Sequence, residues 1–314
     1  MTQFPSFLIV GAAKSGTTVF HQWLSQQAAI FTPPVKEPHF FCFEGRNAAT
    51  IGTHVDPHYA AAMTFEQTDY ERLFADAQDH QLTGEASPGY LYFPGVARAI
   101  RKRNPDAKIV FLLRNPVERA YSQFMHHVRD GYEPLRDFTD ALCVEGDRIA
   151  RGYWWGYHYR AGGMYARRIR EYLDVFPREN LKFILFDDLV RRPESVLRET
   201  LEFLGVPYDC RLDLTALRNC ASGMERVPRY CWHARIASEH RGIARIMKRV
   251  GLSPQSERCT VPAPPFDPGL RRMLLHSFRP DMEMTAELID RDLSHWLYDR
   301  RDAMRPNHRA LQAA

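Results

Sequence analysis

The sequence predicts an α/β fold: an open parallel sheet of about five strands flanked by helices on both faces. Three observations lead there. Short apolar runs recur at Phe7 to Val10, around Ala28 to Phe31, near Leu82 to Glu85, at Ile109 to Leu113 and at Phe183 to Phe186. The segments between them carry helical periodicity, and helix punctuation stands at their ends. Strands that alternate with helices pair in parallel and are covered on both sides.

Taken in order, Phe7-Leu-Ile-Val10 runs straight into Gly11-Ala-Ala-Lys14-Ser-Gly16-Thr17-Thr18, a glycine-framed loop and a helix start. Phe20, Trp23 and Leu24 give that helix an apolar face. The run ending at Phe31 leads into a loop stiffened by Pro33, Pro34 and Pro38. After Ile109 to Leu113, Asn115 supplies an N-cap and Pro116 a first helical residue, and Val117, Tyr121, Phe124 and Val128 share one face. Tyr165, Ile169, Tyr172 and Phe176 mark another helix before the strand at Phe183. Arg192-Pro193 starts a further helix that Gly205 stops after Leu204. Pro262-Ala-Pro-Pro265 is an extended connector to a last helical stretch from about Gly269 to Trp296. No Pro/Gly/Ser-rich seam divides the chain, so one domain over residues 1–298 is expected, with 299–314 a flexible basic tail.

The 314 residues are 45% hydrophobic, enough for one large core, and the net charge of +4 suits anionic ligands without demanding nucleic acid. The cluster Arg98 to Arg103 reads as a solvated helix face. There is no leader pattern and no run of ~18 apolar residues, so no membrane span and a cytoplasmic home are expected. Six cysteines, at 42, 143, 210, 220, 231 and 259, form no Cys-x-x-Cys pair and read as reduced thiols. Cys210 and Cys220 are the pair that an oxidising compartment would bridge. Only six of the 42 basic residues are lysines, and two of them, Lys14 and Lys36, stand in the loops that carry the chemistry.

Those loops leave the carboxyl edge of the sheet, where open parallel sheets bind ligands. In the first, the backbone N–H groups from Ala13 through Ser15, Gly16 and Thr17 to Thr18 form a cradle for a phosphate ester, with Lys14 adding charge. The spacing is not Gly-x-x-x-x-Gly-Lys-Ser/Thr, because the lysine precedes the second glycine. In the second, Glu37 lies among prolines that restrict its backbone, which makes it either a general base or a loop acid paired with Lys36. In the third, Arg114 emerges at a strand end and Ser122 follows two helical turns on, a fork and a hydroxyl for a second phosphate. The aromatic group Tyr153-Trp154-Trp155-Gly-Tyr157 either lines an acceptor cleft or packs in the core.

Four motifs together resemble one family. Lys14-Ser-Gly-Thr-Thr18, Lys36-Glu-Pro-His-Phe-Phe41, Gly84-Glu-Ala-Ser-Pro-Gly-Tyr90 and Arg114-Asn-Pro-Val-Glu-Arg-Ala-Tyr-Ser122 are similar to those of sulfotransferases that use 3′-phosphoadenosine-5′-phosphosulfate (PAPS), nearest to the heparan-sulfate branch and its bacterial relatives. Phe186-Asp-Asp-Leu189, Phe203-Leu-Gly-Val206 and Arg291-Asp-Leu-Ser-His-Trp296 extend the likeness over nearly the whole chain. The resemblance implies a P-loop-type sheet on which the Lys14 loop binds the 5′-phosphosulfate and Arg114 and Ser122 bind the 3′-phosphate. It further implies Glu37 as base, Lys14 stabilising the leaving phosphate, and a segment near Ser222 to Arg229, with Arg226, closing over the nucleotide. On the acceptor side it points to Lys36 and His39, beside Trp154 and Trp155. The chain departs from several glycosaminoglycan enzymes at Ala86, where they carry a lysine, and in Ser-Gly-Met-Glu-Arg226.

The expected reaction is sulfation of a hydroxyl, or else an amine, of a carbohydrate or small metabolite, releasing adenosine 3′,5′-bisphosphate (PAP). The acceptor, a small molecule or a glycan, is the expected partner, and oligomeric state stays open. A transferring sulfuryl group carries less charge than a phosphoryl group, so no metal is expected. His54-Val-Asp-Pro-His58 and His126-His127 lack the companions of a zinc site, and no Gly-x-Ser-x-Gly elbow appears. Two other readings remain: a P-loop small-molecule kinase, which the lysine offset and Arg114 oppose, and a non-catalytic PAP-binding protein.

Overall fold

A computed structural model describes residues 4–55, 57–208, 226–230, 234–237, 240–249, 252, 259–263 and 265–298. Five parallel strands form the main sheet: β1 (Phe7–Gly11), β2 (Ile30–Phe31), β3 (Leu82–Ala86), β4 (Lys108–Leu113) and β5 (Leu181–Leu185), in the order β2-β3-β1-β4-β5. Leu8 stands opposite Glu85 on one side and Ile109 on the other, and Phe111 pairs with Phe183. The chain fills the β3 side first and then crosses to β4, so the connection after β1 leaves beside the point where the strand order reverses.

Period-two alternation sorts the strand residues into two cores. Leu8, Val10, Ile109, Phe111, Leu113, Leu181, Phe183 and Leu185 face one layer, together with Val117, Phe124, Val128, Tyr165, Ile169 and Tyr172. Phe7, Ile9, Val110, Leu112 and Ile184 face the other, against Phe20, Trp23 and Leu24 of the Thr17–Ser25 helix and Val196, Leu197, Leu201 and Leu204 of the Pro193–Leu204 helix. The expected sheet with helices on both faces is therefore present.

Several boundaries differ from the sequence reading. The last strand starts at Leu181 and stops before Phe186, because Phe186 begins a short helix, Phe186–Arg191. The helix after the connector runs Pro268–Ile289, and only a 3₁₀ turn at Ser294–Trp296 follows. A two-stranded antiparallel ribbon, β6 (Arg226–Pro228) and β7 (Thr260–Pro262), was not expected. Each of its strands has three residues, too few to show alternation. Val227 anchors it in the core, and β6 lies against the Pro116–Asp130 helix. Cys210, Cys220, residues 222–225 of the expected closing segment and the 299–314 tail lie outside the described residues.

Gly84 in β3 shows how tightly the sheet packs: a Cβ there would stand 2.0 Å from Phe7 Cζ. Gly84→Ala is expected to destabilise the fold by about 1–3 kcal/mol or more through overpacking, measured as a lower denaturant midpoint with an unchanged slope.

Candidate active site

The carboxyl edge of the sheet gathers the three expected segments. Beyond β1, Gly16 stands at the head of the Thr17–Ser25 helix with φ 89°, a left-handed conformation that glycine adopts freely. A Cβ at Gly16 would lie 2.8 Å from Leu189 Cδ2, so the position also requires the missing side chain. No side chain caps this helix and its first turn holds no acid, which leaves its positive end for an anion. Ser15 Oγ is buried there without a hydrogen-bond partner. These features fit a phosphate or sulfate group.

Arg114 follows β4, and its Nη1 donates to the Lys14 carbonyl at 3.1 Å. Its guanidinium lies over the Phe186 ring at 4.7 Å, and its own carbonyl accepts from Tyr165 Oη at 3.0 Å. Asn115 caps the next helix as expected, its Oδ1 accepting from Val117 N at 3.0 Å and from Glu118 N at 3.4 Å. Ser122 lies half-buried on that helix, Pro116–Asp130. The first and third segments are thus physically joined.

The electrostatics centre on Lys14, Lys36 and Glu37. Glu37 is ion-paired with Lys36, and His39 Nε2 lies 3.6 Å from its other oxygen. Burial pushes the Glu37 carboxyl up, but Lys36 and His39 together hold it down at about 2. Burial lowers Lys14 to about 8; Arg129 and Arg114 add to this, while Asp130 and Glu37 oppose it. Both the paired-acid geometry and the ionised carboxylate that a base needs are present.

Three residues near these charges were not singled out by the sequence. His21, on the Thr17–Ser25 helix, is lowered to about 4 by burial and then by Lys36, and its Nε2 is buried without a partner. His126 is lowered to about 2 by burial and then by Lys14 and Arg129. Its link to Lys14 comes from the far end of the Pro116–Asp130 helix meeting the first loop. Glu85 is buried behind the Lys36–His39 turn, its carboxyl pushed up to about 7 by burial against hydrogen bonds from Tyr90, Ser87 and Tyr70. The signal for Glu85 was a lone acid at the end of an apolar strand.

Other expected residues make contacts of their own. Arg226 is in β6, where its Nε donates to Thr260 Oγ1 at 2.8 Å and its Nη2 to the Thr260 carbonyl at 3.1 Å. Trp154 is buried with its ring 5.9 Å from that of Phe43, and Trp155 stacks on Tyr92 at 5.5 Å. Both indoles have ring centroids just over 6 Å from that of His39, which is fully buried. The aromatic group therefore walls the turn that carries Glu37. Among the described residues no group of three or more His, Cys, Asp or Glu is arranged to hold a metal.

Residues 5–210 match the model of the Sulfotransferase family. The chain is 35% identical to a sulfotransferase from Alicyclobacillus acidocaldarius, whose crystal structure it matches with a TM-score of 0.73 over 94% of this chain and 100% of that one. It is 27% identical over 208 residues to human heparan sulfate glucosamine 3-O-sulfotransferase 6, covering 65% of this chain and 53% of that protein. It is 29% identical over 150 residues to membrane-associated sulfotransferase kil1 of Dictyostelium discoideum, covering 46% and 29%. The chain spans about half the length, or less, of these curated relatives. No helix among the described residues is long and apolar enough to cross a membrane.

A half-buried lysine with a lowered pKa penalises the folded state wherever the unfolded chain binds the extra proton: fully below about pH 8, and not at all above its ordinary value of 10.5. Lys14→Met is therefore expected to raise the melting temperature of the ligand-free protein at pH 7 by several degrees, about 1–2 kcal/mol after allowance for screening. The gain should shrink between pH 8 and 10.5, as thermal scans across that range would show.

Proposed function

The chain belongs to the sulfotransferase family, and from that premise we propose that it moves the sulfuryl group of PAPS to a hydroxyl of a carbohydrate or small metabolite. The observation that carries this reading is the meeting of Lys14, Lys36 and Glu37 at one sheet edge, with Arg114 bonded to the Lys14 loop. When bound, the donor supplies the sulfuryl group and leaves as PAP.

Lys14 and the amides from Ala13 to Thr18 receive the 5′ end, where the leaving phosphate gains charge. Arg114 and Ser122 hold the 3′-phosphate; Phe186 and Tyr165 keep the arginine in place for that contact. Arg226 belongs to this reading as the described end of the closing segment, carried on a ribbon that leans on the helix bearing Ser122. Lys36, His39 and the tryptophans form the acceptor side. Among the described residues Cys42, Cys143 and Cys259 are free thiols.

Glu37 takes the proton of the acceptor hydroxyl. A carboxylate held at about 2 is ionised but a weak base, and Lys36 is the main charge holding it there. An anionic donor held at Lys14 brings negative charge near Glu37, which lets the Glu37 pKa rise as the donor arrives. The ion pair thus keeps the base charged when the site is empty, and the donor's charge makes it more basic when the site fills.

Glu37→Gln is expected to lower kcat by ~10²–10⁴-fold while the affinity for PAP, measured by calorimetry, stays near wild type. Sulfation assays with labelled donor and an acceptor panel test the first part. Full turnover by this variant would remove Glu37 as the base, and equal affinity for PAP and plain AMP would remove the two-phosphate grip.

A further inference from the structure

The turn that carries Glu37 is unusual in its backbone. Glu37 has φ 64° and His39 φ 49°, both left-handed conformations that side chains disfavour by ~1–2 kcal/mol each. Such a turn persists only where its surroundings over-determine it. Two backbone amides just beyond Glu37 show what does so here. His39 N donates to Ser87 Oγ at 3.1 Å, and Phe41 N donates to Tyr90 Oη at 3.4 Å.

Both hydroxyls are in turn committed to one carboxylate. Ser87 Oγ donates to Glu85 Oε2 at 2.8 Å, Tyr90 is hydrogen-bonded to Glu85, and Tyr70 Oη donates to Glu85 Oε1 at 3.1 Å. Glu85 is 1% exposed, and Ser87 and Tyr90 are fully buried. A hydroxyl that donates to Glu85 has its proton turned toward the carboxyl oxygen and its own lone pairs left facing outward. Those lone pairs are what the two amides meet. Close approach supports the same turn from below: a Cβ at Gly89 would lie 2.9 Å from His39 Cε1.

We propose that Glu85 is the positioning residue for Glu37, fixing the Lys36–Phe41 segment through two hydroxyl relays, Glu85–Ser87–His39 N–H and Glu85–Tyr90–Phe41 N–H. The proposal rests on the reading of Glu37 as base. Tyr70 is the internal contrast: its hydroxyl binds the same carboxylate and Tyr90 but accepts from neither amide, and Tyr70→Phe keeps the ring that packs on Phe40 and Phe41.

The test uses the full chain in four single variants, Ser87→Ala, Tyr90→Phe, Tyr70→Phe and Glu37→Gln, and the double variant Ser87→Ala/Glu37→Gln. Ser87→Ala is expected to lower kcat ~10- to 100-fold, as misplacement of a reacting group does, with PAP affinity within about twofold of wild type. Amide exchange over residues 36–41 should speed up in Ser87→Ala and Tyr90→Phe while strands β1 and β4 stay protected. Tyr70→Phe should lose comparable thermal stability but keep kcat within about twofold. In the Glu37→Gln background Ser87→Ala should change kcat by less than about twofold, because a lost base cannot be misplaced.

Unchanged exchange over 36–41 in both relay variants overturns the proposal, as does a kcat that simply follows melting temperature, with Tyr70→Phe losing as much as Ser87→Ala. If Glu37→Gln is crippled while Ser87→Ala is not, the role of Glu85 fails and the base stands. If Glu37→Gln keeps full turnover, the base assignment fails and the role of Glu85 falls with it.

Discussion

Two lysines and a glutamate, all half-buried at one sheet edge, are the constraint to which the rest of the site answers. Charges taken from water lose hydration worth several kcal/mol each, and only mutual attraction and hydrogen bonding return it. Glu37 recovers it from Lys36 and His39, which is why its carboxyl sits at about 2 despite burial. Lys14 recovers less: Glu37 and Asp130 oppose the effects of burial, Arg129 and Arg114 without cancelling them. The ligand-free site therefore holds one satisfied anion and one cation whose charge is poorly compensated, an imbalance that an anionic ligand corrects.

Backbone geometry serves the same end. Lys14, Glu37 and His39 all have positive φ, and only His54 and Asp290 share that property among the described non-glycine residues. Strain gathered at a site must be held by neighbours that do not themselves yield. For Lys14 the neighbour is Arg114, bonded to its carbonyl and braced over Phe186. For Glu37 and His39 it is the end of β3, where Ser87 and the residues after it face the turn. Each strand end thus supports a loop that belongs to a different strand, and the sheet order brings them side by side.

Much of this was legible before any coordinates. The apolar runs Phe7 to Val10 and Ile109 to Leu113 stand out because these central strands are covered on both faces, and Asn115-Pro116 marks its helix because capping is local chemistry. Lys14, Glu37 and Arg114 could be placed on one edge because parallel topology alone puts strand carboxyl ends together. What escaped depends on long-range meeting. The β6–β7 ribbon pairs residues 226–228 with 260–262 through strands of three residues each, and nothing local in Arg226 announces that its guanidinium grips Thr260. The aromatic run left core and cleft undecided for Trp154 and Trp155, and burial beside His39 lets one packing wall serve both. Glu85 was the hardest to see, since a buried carboxylate and a surface one look alike until its three hydroxyl partners come together.

The imbalance at Lys14 bears on how the site is switched on. A protein that compensated Lys14 fully in the empty state would gain stability and give up the free energy available to an arriving phosphosulfate. One that left Glu37 unpaired would raise its basicity but also let it pick up a proton, since burial alone drives a carboxyl toward neutrality. On the proposed reading, pairing Glu37 with Lys36 avoids both outcomes: the carboxylate waits ionised, and the charge of a donor held at Lys14 would raise its basicity.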